Sequence, residues 1–475
     1  MLSSEVSPFA KTGGLGDVLG SLPLALRELG FDVRIMMPRY QGIHPDHYSH
    51  SPIIPSLPIS TGGDSITTQV WEGRLGQTLP VYFIDAPAYF QREGFYGDSQ
   101  EDYPDNAERF SFFNRAALEI TRTLSFIPHI IHCHDWQTAL APVYLKFLYP
   151  KDRFFKETRT VFTIHNLGFQ GLFEASHFSK LGLPPELFSL EGLEFYGKIN
   201  LMKGGLLFAD HLTTVSQNYC QEIQKKPLGS GLEGVLKKRS NDLVGILNGI
   251  NTQQWNPETD PNLKERYYPK NLTGKIINKE ELQRQHGFPI KKNTPLIGMV
   301  TRLTRQKGLD LITDAVDELM KLDLQLIILG AGEKQYQNFL LNLSKRYPQK
   351  TQVRIGFQET LARQIYAGCD FFLMPSLYEP CGISQLISLR YGTIPIVRKT
   401  GGLADTVKEF NPITGKGHGF LFNHYEKESL LATLNQALDC YKNPQHRKKL
   451  ILNAMKLDFS WKASALLYRQ LYEKF

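Results

Sequence analysis

The sequence predicts an α/β protein built on parallel sheets and divided into two domains of similar size. Three observations predict it. Ten short apolar and β-branched runs alternate with longer helical patterns along the chain. These runs are continuously apolar, as in strands that helices cover on both faces. The 475 residues also exceed what one core organises, at about 100–200 residues per domain.

In the first half the runs are 33–37, 81–84, 130–133, 160–164 and 212–215. In the second half they are 295–300, 325–329, 352–355, 370–374 and 394–397. Helical stretches such as 310–321 and 361–367 lie between them and complete the strand–helix–strand alternation of a parallel sheet. Near the start, Val18, Leu22, Ala25, Leu26 and Leu29 predict one amphipathic helix, kinked at Pro23, after a very short first strand. A hinge is expected at Asn248-Gly249-Ile250, before a loop over 253–269 that holds Pro257, Pro261 and Pro269. The expected domains are therefore 1–247 and 248–459. Residues 460–475 read as a final helix with Ala463, Leu466, Leu467, Leu471 and Tyr472 on one face.

Composition narrows the class. Hydrophobic residues make up 41% and charged residues 21%, ordinary values for a globular protein. The 54 basic and 47 acidic residues leave a net charge of +7 with no long basic run. A nucleic-acid binder concentrates its charge on a face or tail, so nucleic acid is not an expected partner. Small phosphorylated ligands suit the mild excess. The five cysteines (Cys133, Cys220, Cys369, Cys381 and Cys440) are odd in number and lack CxxC or zinc spacing. They read as reduced thiols, with no metal site and no disulfide framework. No apolar stretch approaches the roughly 18 residues of a membrane span, and residues 1–9 lack a signal-peptide layout. A cytoplasmic protein with no membrane partner is expected; a mature plastid form would look the same.

Ligands of doubly wound sheets bind beyond the carboxyl ends of the strands. Those ends carry chemistry here. His134-Asp135-Trp136 follows the run 130–133, and His165-Asn166 follows 160–164. Thr301-Arg302 and then Gln306-Lys307-Gly308 follow 295–300. Glu379-Pro380-Cys381-Gly382 follows 370–374, and Thr400-Gly401-Gly402 follows 394–397. Polar groups at so many strand ends, from both halves, point to one cleft. Lys11-Thr12-Gly13-Gly14-Leu15-Gly16-Asp17 precedes a helix, where a phosphate can meet backbone N–H groups and a lysine. Arg302 and Lys307, five residues apart across a tight loop, can converge two positive charges on a pyrophosphate. Alone, each feature also has an ordinary structural reading: a turn, a surface pair, a histidine holding a loop. Glu379 can equally cap the helix after Gly382, and Cys381 reads as a packing residue.

Eight stretches, in order, resemble the bacterial glycogen synthase and plant starch synthase family. They are SSEVSPFAKTGGLGDV (3–18), HCHDWQTAL (132–140), FTIHNLGFQG (162–171), TTVSQNY (213–219), ILNGIN (246–251), TRLTRQKG (301–308), YEPCGISQL (378–386) and TGGLADTV (400–407). The resemblance implies the GT-B fold: two Rossmann-like domains facing a deep cleft, with the final helix crossing back to the first. It implies a retaining transfer of glucose, mostly from ADP-glucose, to the non-reducing end of an α-1,4-glucan such as glycogen or starch, without a cofactor or metal. It assigns Lys11, Arg302 and Lys307 to the sugar-nucleotide diphosphate, with Gly13 and Gly14 closing on it. Glu379, Cys381, Gly382 and Ile383 would meet the transferred sugar, and Thr400, Gly401 and Gly402 phosphate and ribose. Phe357 would lie by the base. His165 and Asn166 would lie beside the anomeric carbon, Tyr96 and Asp135 on the acceptor side, with Asp17 and Asn248 as support. Gly204 stands where the family commonly has alanine. Rival readings are a transferase using UDP-glucose, a phosphorylase needing pyridoxal phosphate, and an inactive glucan-binding subunit. Intact Lys11, Arg302, Lys307 and Glu379 argue against the last.

Overall fold

Each of the ten apolar runs lies on a strand in the computed structural model, which describes residues 1–63, 65–98 and 101–474. The chain separates into two units, Met1–Leu247 with Trp461–Phe475, and Asn248–Ser460.

The second unit is the simpler. Its strands are β12 (Leu296–Val300), β13 (Gln325–Gly330), β14 (Thr351–Ile355), β15 (Phe371–Met374), β16 (Ile394–Arg398) and β17 (Phe420–Phe422). They lie in the order β14-β13-β12-β15-β16-β17, all parallel. Ile297, Met299, Leu326, Ile328, Phe371 and Leu373 pack into one core. Leu296, Ile327, Leu329, Phe372 and Met374 pack into another on the opposite face. Two buried faces are why these strands read as unbroken apolar runs.

In the first unit the strands are β1 (Ile35–Pro38), β2 (Ile54–Ser60), β3 (Ser65–Leu75), β4 (Leu79–Asp85), β5 (Ile130–His134), β6 (Arg159–Ile164), β10 (His211–Thr214) and β11 (Leu243–Gly245). A small antiparallel sheet, β7 (Leu172–Glu174), β8 (Glu194–Phe195) and β9 (Lys198–Asn200), lies apart from them. The main strands form two groups, β1-β4-β3-β2 and β11-β10-β6-β5. Leu2 joins the groups through parallel bridges to Met36 and Cys133. Its N–H donates to the His132 carbonyl at 2.8 Å, and the Met36 N–H donates to the Met1 carbonyl at 2.9 Å. The expected short first strand is thus a stub at the centre of the sheet. With Leu2 as strand one, the order of the parallel strands is 3-2-1-4-5-6-7, the doubly wound order extended by β11. Counted from β12, the second unit has the order 3-2-1-4-5-6, the same without a seventh strand.

Four expectations are corrected. The first sheet is not wholly parallel, because β2, β3 and β4 form antiparallel pairs. β3 alternates, with Thr68 and Val70 buried and Thr67 and Gln69 exposed, the pattern of a strand with one wet face rather than an apolar run. The helix expected to kink at Pro23 is two helices, Gly14–Leu19 and Leu22–Glu28, with Pro23 in the first turn of the second, where its missing N–H leaves no gap. The helix expected over 310–321 divides into Leu309–Asp314 and Val316–Leu319 at Ala315, whose φ of −96° and ψ of 1° leave helical geometry. The final helix is Trp461–Tyr472; it buries Trp461, Ser464, Ala465, Tyr468, Leu471 and Tyr472, and leaves the expected Leu466 and Leu467 exposed. Residue 475 of that expectation lies outside the described residues. Among the described residues, no helix is long and apolar enough to cross a membrane.

Candidate active site

The doubly wound order places a crevice where strands one and four separate, at their carboxyl ends. In the first unit those ends lead into the loop after Leu2 and into Asp135. In the second they lead into Arg302–Lys307 and into Pro375–Glu379. Most of the candidate residues therefore fall at two topologically equivalent points.

The loop before the Gly14–Leu19 helix is held by a residue that sequence reasoning overlooked. Glu5 is buried, and its carboxylate accepts from the Thr12 N–H at 2.6 Å, the Thr12 hydroxyl at 2.7 Å and the Gly13 N–H at 3.2 Å. It also accepts from the Tyr96 hydroxyl at 2.7 Å, which in turn contacts Ser4 Oγ at 2.8 Å. A buried carboxylate must find donors, and the adjacent loop supplies them. The Gly13 N–H, assigned to the diphosphate, and the Tyr96 hydroxyl, assigned to the acceptor side, both donate to Glu5 in this structure. Burial also pushes the Tyr96 phenol well above its ordinary pKa. Lys11 and Gly14 remain exposed at the loop. Lys11 Nζ pairs with Asp17 at 2.6 Å, both about two-fifths exposed, and such a pair is worth only about 0–1 kcal/mol and exchanges readily.

Asp135 follows β5 with φ 58° and ψ −179°, a region that glycine dominates and that costs other residues about 1–3 kcal/mol. Its Oδ1 accepts from the His165 N–H at 2.7 Å. Burial raises its carboxyl pKa to about 7, against the lowering effect of the His165 and Asn166 N–H groups. The structure thus joins Asp135, His165 and Asn166 at the ends of β5 and β6. His165 Nε2 lies 3.0 Å from His134 Nδ1, and burial pulls the His165 pKa down to about 3. Its imidazole is neutral at physiological pH. The Asn166 side chain accepts from the Gly168 N–H at 3.0 Å and shapes the turn. Trp136 is core, packed against Phe110 and Phe173.

In the second unit, Lys307 Nζ donates to both Glu379 oxygens, at 2.8 and 2.6 Å. The Lys307 and Glu379 side chains are 15% and 7% exposed, so the pair is largely desolvated. Ser376 Oγ adds a donor to Glu379 at 3.0 Å. Glu379 therefore does not cap the following helix: it is paired with the lysine 72 residues away. Arg302 stays exposed, 3.5 Å from Gln306 Oε1. The loops interlock through glycines. Gly308 has φ 79°, and a Cβ there would run into the Pro375 carbonyl oxygen. Gly401 has φ 42°, and a Cβ there would run into the Glu379 carbonyl oxygen. The Gly402 N–H donates to that same carbonyl at 3.0 Å, so it too is already bonded. Thr400 is buried at the start of the Gly401–Thr406 helix. Burial pushes the Cys381 thiol up to about 12, an inert packing group, as expected. Gly382 and Ile383 lead into the Ser384–Arg390 helix. The Asn248 N–H bonds Cys381, and its buried side-chain Oδ1 has no partner among the described residues. Phe357, after β14, is 73% exposed.

Three comparisons bear on identity. Residues 1–238 match the family model described as starch synthase catalytic domain, and residues 278–457 match glycosyl transferases group 1. The chain is 48% identical to the glycogen synthase of Syntrophotalea carbinolica over 475 residues, 100% of this chain and 98% of that one. It is 47% identical to the glycogen synthase of Geobacillus thermodenitrificans, covering 99% and 96%. Among solved structures, the catalytic domain of starch synthase IV from Arabidopsis thaliana, bound to ADP and acarbose, superimposes with a TM-score of 0.90 at 36% identity, covering 100% and 98%. A sucrose-phosphate synthase from Thermosynechococcus elongatus shares the fold alone, with a TM-score of 0.62 at 16% identity. Matched from end to end, with its strand-end residues on two doubly wound units of the GT-B type, the chain belongs to the glycogen synthase and starch synthase family of retaining glycosyltransferases, which extend α-1,4-glucans.

Proposed function

We propose that the nucleotide sugar is ADP-glucose and that Lys11, Arg302 and Lys307 carry the charge of its diphosphate. Breaking the bond at C1 builds positive charge on the sugar and negative charge on the leaving group. Fixed cations are the direct way to stabilise that leaving group. The observation that carries this reading is the desolvated Lys307–Glu379 pair at the switch point, in the same loop as the exposed Arg302. In this reading Glu379 orients both Lys307 and the sugar. Cys381, Gly382 and Ile383 line the sugar, and Thr400 with Gly401 meets phosphate and ribose. Gly14 and Lys11 meet the diphosphate, Phe357 the base, and Asn248 turns its buried Oδ1 to the ligand. His165 and Asn166 flank the anomeric carbon, Asp135 lies toward the acceptor glucan, and Tyr96, Asp17 and Glu5 hold the first loop. Attack on the face that the diphosphate leaves, with the diphosphate taking the acceptor proton, gives retention without a covalent sugar–enzyme intermediate. The reaction uses no cofactor and no metal, and the protein works in the cytoplasm.

The test is incorporation of labelled glucose into a maltooligosaccharide, with ADP-glucose and UDP-glucose compared at equal concentration and with a chelator added. ADP-glucose is expected to be the better substrate, with an unchanged rate in chelator. A preference for UDP-glucose would overturn the ADP assignment, and a trapped glucosyl-carboxylate would overturn the same-face attack.

A further inference from the structure

We propose that His134 is a positioning residue: at the end of a buried column with Tyr472 and His132, it fixes His165 as a neutral imidazole with its proton on Nδ1. This rests on the reading that His165 flanks the transferred sugar.

The column starts on the final helix. Tyr472 Oη lies 2.6 Å from His132 Nδ1, and His132 Nε2 lies 2.6 Å from Thr163 Oγ1. Thr163 Oγ1 continues to Thr213 Oγ1 at 2.5 Å. The His134 ring lies over the His132 ring with centroids 4.1 Å apart and planes 30° apart. His134 Nδ1 then meets His165 Nε2 at 3.0 Å. His132 and His134 are 2% and 0% exposed.

Proton placement follows from what each buried atom can tolerate. A tyrosine hydroxyl that donates to His132 Nδ1 leaves the His132 proton on Nε2, where it donates to Thr163. Among the described residues, His134 Nε2 is buried without a partner. A stranded lone pair there is cheaper than a stranded N–H, so the His134 proton sits on Nδ1. It donates to His165 Nε2, and the His165 proton is left on Nδ1. Burial holds all three imidazoles neutral, with pKa values lowered from the ordinary range. His165 then offers a fixed N–H donor to a bound sugar oxygen, and its only basic nitrogen is already occupied.

Histidine-labelled ¹⁵N NMR of the full chain, with His165→Gln to assign the resonance, tests the proton positions. His165 is expected to show a protonated Nδ1 and a bare Nε2. In His134→Leu it is expected to become a tautomer mixture, and kcat for glucose transfer to fall about tenfold while KM stays within about threefold. His134→Asn places an amide N–H where Nδ1 stood and is expected to keep both the tautomer and most of the rate. Tyr472→Phe is expected to release His132 into a mixture. A His165 proton on Nε2, equal losses in the two His134 variants, or an unmoved His132 in Tyr472→Phe overturns the proposal. The spectra do not depend on turnover. A wild-type chain that fails to use ADP-glucose would sink the substrate assignment and leave the tautomer result standing.

Discussion

Asp135 and Glu379 occupy corresponding places in the two units: each follows the fourth parallel strand of a doubly wound sheet, at the switch point. Their surroundings are opposite. Glu379 has Lys307 and Ser376 as partners. Asp135 is held by two backbone N–H groups, and burial with the nearby charge of Glu5 raises its pKa to about 7. The cations differ in the same way. Lys307 is locked in a desolvated pair, whereas Lys11 shares an exposed, exchangeable one with Asp17. In the first unit the loop backbone is locked, by Glu5, and the charge is loose. In the second the charge is locked and the loops are clamped glycine against carbonyl. One topology thus supports two kinds of preorganisation, one of shape and one of charge.

The largest effect should come from breaking the locked charge. Lys307→Ala is expected to lower kcat about 100- to 1,000-fold, measured by labelled-glucose incorporation. It also leaves Glu379 buried without its cation, which should destabilise the fold by about 3–5 kcal/mol in chemical denaturation. The double variant Lys307→Ala with Glu379→Gln should recover most of that stability and none of the rate. Lys11→Ala, which breaks an exposed pair, should change stability by less than about 1 kcal/mol. Comparable stability losses in the two lysine variants would erase the distinction between locked and loose charge.

The next effect tests the locked loop. Glu5→Ala strands the Thr12 and Gly13 N–H groups and two hydroxyls, and is expected to cost about 2–3 kcal/mol, because water reaches part of that exposed loop. Glu5→Gln keeps an acceptor oxygen and should lose less than half as much. Equal losses would mean that the side chain fills space rather than accepting hydrogen bonds, and the contrast between the units would weaken.

The sequence makes part of this arrangement legible. β12, β13 and β15 are readable because both their faces are buried, which leaves an unbroken apolar signature. β2 and β3 are not, because a strand with one wet face alternates and is not picked out as an apolar run. Lys307 and Glu379 are visible separately as polar residues after strands. Nothing in their spacing says that the two meet, since the strand order that joins them is a property of the folded sheet. Glu5 stands in plain view within SSEVSPFAKTGGLGDV, but its partners are mostly backbone N–H groups, which leave no trace in residue type. The first strand is readable as short; that it links two halves of a sheet through Leu2 is not. The histidines of HCHDW follow the same rule: their alternation puts His132 and His134 on one face of β5, and only the packing of the final helix supplies Tyr472.

The smallest effect concerns the carboxylate without a cation, and its sign is fixed by linkage. Asp135 has a folded pKa near 7, against about 3.8 for an ordinary aspartate. Between those values the folded state binds more protons than the unfolded one, so stability falls as pH rises. The penalty is absent below about pH 4, grows through neutral pH, and is complete above the folded pKa. Asp135→Asn keeps an oxygen for the His165 N–H and cannot ionise. It should therefore fall below wild type near pH 4, by the amide's own burial cost, and exceed it by about 1–2 kcal/mol at pH 8, less than the full shift because that cost persists at every pH. Thermal or chemical denaturation across that range measures the difference directly. Glu379→Gln gives the opposite contrast, because it removes the partner of a buried lysine and should destabilise at pH 8. If Asp135→Asn were destabilising at pH 8, the aspartate would have a compensating partner after all, and the two switch points would share one electrostatic design.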